Sequence, residues 1–157
     1  MVQQITEHFS YEELISSATA ARLGIDNSHP SPEVLSAAAH TATCMETVRD
    51  ILNVPIHVDS FIRCPALNEA VGSKPTSQHI KGEACDFTAP DFGTPLEIAQ
   101  ELIKNRVTVK FDQLIMEGTW VHISFCSPTS TPRDEVLSLI DGGHYAYGLA
   151  DKQGNPI

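Results

Sequence analysis

The sequence predicts an α+β domain, on three observations. Three segments open with helix-capping signatures. Other short runs, rich in β-branched and apolar residues, are separated by Gly-containing turns in the manner of hairpins. No repeat, low-complexity stretch or linker interrupts the 157 residues, a length that suits one hydrophobic core. A single domain is therefore expected over residues 1–150, followed by a polar, loose tail over residues 151–157.

The elements follow in chain order. Ser10 reads as an N-cap with Glu13 three residues on, a capping box flanked by Phe9 and Leu14 at the positions of a hydrophobic staple. The helix it opens is expected to run to Gly24, a residue suited to a left-handed C-cap. Ser31-Pro32-Glu33 opens a second helix, with Pro at its first position. Val34, Leu35, Ala38, Ala42, Met45, Val48 and Leu52 then form one apolar stripe about five turns long, a scaffold feature that Asn53 and Pro55 end. Residues 56–61 alternate with period two and predict a strand, with Ile56, Val58 and Ser60 on one face. A long connection follows over residues 64–77, with one helical turn at 66–71; such a loop in a compact domain is more often functional than idle. Residues 84–88 predict a short strand. Thr94-Pro95-Leu96-Glu97 is another capping box, opening a helix to Lys104, and residues 107–110 predict a short strand. Residues 113–117 and 120–125 form the clearest hairpin, because Gly118-Thr119 suits a two-residue type II′ turn. A second hairpin is expected over 135–140 and 144–148, around Asp141-Gly142-Gly143.

Composition excludes several functions. Ten basic against 20 acidic residues give a formal net charge of −10. No Lys/Arg cluster exists to neutralise phosphates, which argues against nucleic acid, and the acidity reads as a device for solubility. No apolar run approaches the roughly 20 residues of a membrane span. The N-terminal residues lack a basic region followed by an apolar core, so the chain is expected to be made in a cytoplasm without a signal peptide. Cys44, Cys64, Cys85 and Cys126 have no CxxC spacing and read as reduced, mostly buried thiols, with the even count leaving a disulfide open.

The stretch that carries chemistry is Ser77-Gln78-His79-Ile80-Lys81-Gly82-Glu83-Ala84-Cys85-Asp86, answered by Trp120-Val121-His122. His79, Asp86 and His122 offer two imidazoles and a carboxylate. Three such ligands with a fourth position left for water describe a catalytic Zn2+ rather than a structural one. The hairpin serves as a ruler. With a turn at Gly118-Thr119, Glu117 lies opposite Trp120 and Ile115 opposite His122, so Glu117, Trp120 and His122 share a face. Glu117 is then diagonal to His122, at a Cα separation of about 7–8 Å. Hydrolysis of an amide needs a base at that point, and Glu117 is the best candidate; Asp112, at a strand start, is a distant second that reads rather as a structural partner. It also needs a cation beside the carbonyl oxygen or a substrate carboxylate; Arg63, between a strand and the long loop, is the candidate. His8, His29, His40, His57 and His144 read as ordinary surface or core residues.

Taken together, Arg63-Cys64-Pro65-Ala66-Leu67-Asn68, the SxHxxGxAxD pattern ending at Asp86, and Trp120-Val121-His122-Ile123-Ser124 resemble the M15 metallopeptidases. These are the zinc D-alanyl-D-alanine carboxypeptidases and their phage endolysin relatives. The likeness spans residues 9–125, and Phe111-Asp112-Gln113-Leu114-Ile115 looks like the phage and prophage branch. The resemblance implies zinc on His79, Asp86 and His122, with Arg63 orienting substrate or stabilising the oxyanion. Ser77 and Trp120 would line the substrate site, and Gly82 and Ala84 would let the backbone pass close to the metal loop. The implied fold is a small antiparallel sheet with helices packed against it, as in D-Ala-D-Ala peptidases and the hedgehog signalling domain. In well-known members the catalytic glutamate stands three residues before the last zinc histidine. That position is Thr119 here, and Glu117 stands five before, a longer spacing that phage-like members also show. The implied activity is hydrolysis of peptidoglycan stem peptides, at terminal D-Ala or at the L-Ala–D-Glu bond. The implied protein is a monomer acting on the cell wall after holin-mediated release, or as a phage particle component. The alternative is a non-catalytic zinc module that recognises the wall or a protein partner, since the hedgehog domain keeps zinc without evident peptidase work.

Overall fold

A computed structural model describes residues 2–157. Its organising element is a six-stranded sheet of β1 (His57–Ser60), β2 (Ala84–Thr88), β3 (Gln113–Met116), β4 (Val121–Ser124), β5 (Glu135–Ile140) and β6 (His144–Tyr147). The spatial order is β1-β2-β4-β3-β5-β6. Neighbours are antiparallel except β3 and β5, which run parallel. The α+β class is therefore as expected. The parallel pair departs from an all-antiparallel sheet: after the β3–β4 hairpin, residues 125–134 carry the chain back so that β5 lies on the remaining edge of β3.

Two helices supply most of the apolar layer that covers one face. Ser31 caps α3 (Pro32–Leu52) by accepting from the Val34 N–H, and Asn53 closes it in the left-handed region at φ 54°. The expected stripe is buried from Ala38 to Leu52, with Val34 and Leu35 packed at its margin. A complete capping box of Thr94 and Glu97 opens α5 (Pro95–Lys104). Ile98 and Leu102 of α5 and Met45 and Val48 of α3 join Phe87, Leu114, Val121 and Ile123 of the sheet in one core. α4 (Pro65–Ala70) is the helical turn inside the long connection.

Local departures have local causes. The Ser10–Glu13 capping box forms, but the expected helix to Gly24 is two helices, α1 (Tyr11–Ile15) and α2 (Ala18–Leu23). Ser16 is extended, and Ser17 accepts from the Ala20 N–H as a second N-cap; a serine that offers the backbone this alternative competes with helix continuation. Residues 107–110 are not a strand. Asn105 carbonyl accepts from Thr108 and Val109, so the chain leaves α5 directly into α6 (Arg106–Val109), which buries Val109, leaves Val107 exposed and ends at Lys110 with φ 55°. Residues 151–157 are not loose. The Asp141 N–H donates to Lys152 carbonyl at 2.8 Å, Ala150 and Pro156 form a bridge, and the Asp151 carboxylate accepts from the Gln153 and Asn155 N–H groups. All four cysteines are free, and Cys85 alone of them is fully buried, the other three being half-buried. No helix among the described residues is long and apolar enough to cross a membrane.

Two backbone features aim the other face of the sheet. β1 carries a bulge at Asp59: Val58 opposes Phe87, and Ser60 opposes Asp86. Opposed residues share a face, so Val58 points to the core and Ser60 away from it, which corrects the expectation that they point together. Gly82 holds the loop before β2 against α3. Its φ is +74°, and a Cβ there would stand 2.5 Å from the Val34 carbonyl oxygen and 3.1 Å from Ala38 N. Thr41 Oγ1 donates to Gly82 carbonyl at 2.8 Å. The small residue is thus required by contact with a helix as well as by its own dihedral. Gly82→Ala is expected to destabilise the fold by about 2–4 kcal/mol, through the left-handed backbone and the overlap with a carbonyl that cannot swing aside. Urea unfolding measures it; a loss under about 1 kcal/mol would show that α3 and the loop can separate freely.

Candidate metal centre

Cross-strand register builds half of the centre. Asp86 of β2 lies directly opposite His122 of β4, and His122 Nδ1 stands 2.8 Å from Asp86 Oδ1. The other half comes from the loop before β2. His79 is fully buried, its Nδ1 is 2.7 Å from the Phe61 carbonyl oxygen, and its Nε2 is 3.1 Å from the same Asp86 Oδ1. The Phe61 carbonyl can accept only from a protonated Nδ1, which leaves Nε2 as the bare nitrogen of a neutral ring. That Nε2 makes no hydrogen bond among the described residues.

These three side chains therefore converge. One ligand-capable atom from each of His79, Asp86 and His122 lies within 4.8 Å of the other two. The donor set fits a divalent cation of the zinc type: two imidazoles, a carboxylate, and a buried nitrogen lacking a hydrogen-bond partner. The contact of His79 Nδ1 with a backbone carbonyl is the usual way of fixing a ligand's tautomer. Burial lowers the His79 pKa, outweighing the pull of Asp86, and so favours the neutral ring that a metal needs. Burial works against ionisation of Asp86, but the two imidazoles overcome it and hold the carboxyl well below the usual carboxylate range.

Arg63 closes the centre from the β1 side. Its NH2 donates to Asp86 Oδ2 at 3.0 Å, its Nε to Ser60 Oγ at 3.1 Å, and its NH1 to Asn68 Oδ1 at 3.4 Å. Ser60 and Asn68 are partners that sequence reasoning did not assign. Asn68 itself is tied to the loop, donating to Lys74 carbonyl at 2.9 Å. Ser77 Oγ accepts from the His79 N–H at 3.3 Å, so this hydroxyl serves the metal loop's own turn.

The hairpin has the register read from the sequence. Ile115 opposes His122, and the Glu117 N–H donates to Trp120 carbonyl at 3.0 Å. Burial pushes the Glu117 carboxyl above its ordinary value; His122, Tyr145 and Arg63 oppose that, and Asp86 adds to it. Trp120 is 36 % exposed, at the rim. Tyr145 of β6 reaches Glu117 and has no counterpart in the sequence reading, because only the sheet order brings β6 near β3. A cavity of about 610 Å3 lies elsewhere, between the start of α3 and the segment after β4, and none of the metal-centre residues lines it.

A second polar cluster braces the metal loop. Asp112 accepts from the Arg133 backbone N–H and from its Nε and NH2 at 2.8–3.0 Å, and from Gln78 Nε2 at 3.1 Å. Arg133 NH2 also donates to Gln78 Oε1 at 3.1 Å. The residue before His79 is thereby tied both to the start of β3 and to the crossover segment.

Comparison with known proteins agrees with this geometry. The family model described as Peptidase M15 matches residues 7–124. No curated protein matches the chain. The matched segment contains all three converging side chains, Arg63 and Glu117, and stops short of β5 and β6.

The brace makes a pH prediction. Burial pushes the Asp112 carboxyl up, but the Arg133 and Gln78 hydrogen bonds outweigh it and leave the pKa below its ordinary 3.8. A carboxyl depressed by folding stabilises the protein above its unfolded value, and that contribution is lost as pH falls through the folded one. Asp112→Asn in the metal-free protein is expected to cost about 1–3 kcal/mol at pH 7 and to flatten the fall in stability below about pH 4. Urea unfolding at a series of pH values reads both, and an unaltered acid slope would count against the brace.

Proposed function

Because the chain belongs to the peptidase M15 family, we propose that it is a zinc-dependent hydrolase of amide bonds in peptidoglycan stem peptides. The bond is either the terminal D-Ala–D-Ala link or the internal L-Ala–D-Glu link, and the phage-like wording around Phe111 favours an endolysin-type enzyme. The reading includes a single domain over residues 1–150 with a hedgehog/D-Ala-D-Ala-peptidase-like fold. It includes a monomer that acts on the cell wall without binding nucleic acid or membrane. The observation that carries it is the buried His79–Asp86–His122 convergence, with a histidine nitrogen that has no hydrogen-bond partner among the described residues.

His79, Asp86 and His122 would hold the metal. Zinc, when bound there, supplies a Lewis acid that polarises a carbonyl and makes a water more acidic. The remaining work falls to the chain. Glu117, raised by burial toward the range useful for proton transfer, takes a proton from the attacking water and delivers it to the leaving amine nitrogen. Arg63 faces the developing negative charge on the carbonyl oxygen, or a substrate carboxylate, with the N–H donors that its protein partners leave over. Trp120, opposite Glu117 at the exposed end of the hairpin, and Ser77, on the metal loop, border the substrate.

Incubation with purified muropeptides, followed by mass spectrometry with and without chelator, tests the proposal. The product mass names the bond, and chelator is expected to abolish cleavage. Glu117→Gln is expected to keep zinc bound in equal stoichiometry while lowering kcat by about 10²–10⁴. Undiminished cleavage by that variant would remove Glu117 as the base. An intact, zinc-loaded wild type that cleaves no muropeptide would instead favour a non-catalytic zinc module.

A further inference from the structure

Strand pairing brings an aromatic hydroxyl to Glu117 from beyond the segment that matches the family. Met116 of β3 pairs with Ser138 of β5, and Leu139 of β5 pairs with Tyr145 of β6. One step past Met116, the same register sets Glu117, Leu139 and Tyr145 in a row. Alternation along each strand puts that row on the face that carries His122 and Asp86. Contact closes the row: Tyr145 Oη donates to Glu117, 3.3 Å from Oε1 and 3.2 Å from Oε2.

Glu117 needs such a partner. It is the last residue before Gly118, which has φ +91°, so its backbone sits where the strand gives way to a turn. Its side chain has three torsions, and among the described residues Tyr145 makes the hydrogen bonds that its carboxylate receives. Packing accounts for only part of the tyrosine's placement, since the residue is 49 % exposed. Tyr147, two residues on along β6 and facing the same way, is 85 % exposed and forms no side-chain hydrogen bond among the described residues. A catalytic carboxylate works best when its rotamer is fixed before substrate arrives, since a misplacement of about 1 Å can cost on the order of 10²-fold.

We propose that Tyr145 is a positioning residue of the peptidase: its hydroxyl holds the Glu117 carboxylate in place beside the His79–Asp86–His122 centre, so that the β5–β6 hairpin completes the site. The inference rests on the reading of Glu117 as the base.

The test compares zinc-loaded wild type with Tyr145→Phe, which removes one exposed hydroxyl, and with Tyr147→Phe as the control. On purified muropeptides, kcat of Tyr145→Phe is expected to fall roughly 10- to 100-fold, with KM within about twofold and zinc stoichiometry unchanged; Tyr147→Phe is expected to match wild type. A loss confined to KM, an equal loss in Tyr147→Phe, or no loss would overturn the proposal. A crystal structure of Tyr145→Phe reads the same point without activity: a displaced or multiply placed Glu117 carboxylate supports it, and one held at the wild-type position overturns it. Glu117→Gln separates the two levels. If that variant keeps full activity, the base assignment fails; if it is inactive while Tyr145→Phe is silent, the positioning role alone fails.

Discussion

Asp86 is a carboxylate set where water scarcely reaches, with 9 % of its side chain exposed. A buried charge is tolerated only when partners replace its hydration. Here one oxygen faces His122 Nδ1 and the other a guanidinium, while the unprotonated His79 Nε2 lies against the first, where a bound cation would reconcile the two; each group arrives from a different part of the chain. His122 comes by strand register, Arg63 is held by Ser60, which the Asp59 bulge sets opposite Asp86, and His79 comes by a loop pinned to α3 and to the Phe61 carbonyl. Moving any one of those supports would leave a buried group without its counterpart. The requirement to satisfy this one carboxylate therefore ties β1, β2, β4 and the metal loop into a single arrangement.

The sheet divides its labour by face. One face meets α3 and α5 and carries the apolar core. The other carries Ser60, Asp86, His122 and Ile115 across four adjacent strands in matched register. A slip of one residue in any pairing would turn a functional side chain into the core and an apolar one out of it. The core thus enforces the register that the metal centre needs. The parallel β3–β5 pair extends the same face, so the strand next to the hairpin edge adds surface beside Glu117 rather than closing the domain at β3.

Local signals made much of this legible in the sequence. Capping residues announced α3 and α5 at the positions observed, and Gly118-Thr119 gave the hairpin register that places Glu117 against Trp120. The residues that converge were legible as candidates because residue types with metal chemistry stood in a recognisable order, although nothing in the order itself says that Asp86 opposes His122. What failed was of two kinds. Some signals were local but outcompeted: Ser17 is a second N-cap and breaks the first helix, and the β-branched run after Asn105 was read by propensity while helical hydrogen bonding decided it. Others were not local at all. The pairing of β5 with β3, the brace from Arg133 to Asp112, and the approach of Tyr145 to Glu117 depend on where distant segments dock, and no short-range pattern encodes them.

Arg63 shows how one side chain can satisfy both the fold and the proposed reaction. A guanidinium offers five N–H donors in a rigid plane. Ser60, Asn68 and Asp86 take one each, which fixes the plane and secures the buried carboxylate, and two donors remain. A lysine could offset the charge of Asp86 but could not hold three partners in fixed directions and keep donors in reserve. The arrangement also answers the acidity of the chain. With a net charge of −10, the protein as a whole repels anions. At the centre, however, a guanidinium and a divalent cation would outweigh Asp86 and Glu117, and the low-dielectric surroundings strengthen that local field. An oxygen gaining negative charge during amide hydrolysis, or a peptide's terminal carboxylate, would therefore meet attraction at the one place where the chemistry requires it.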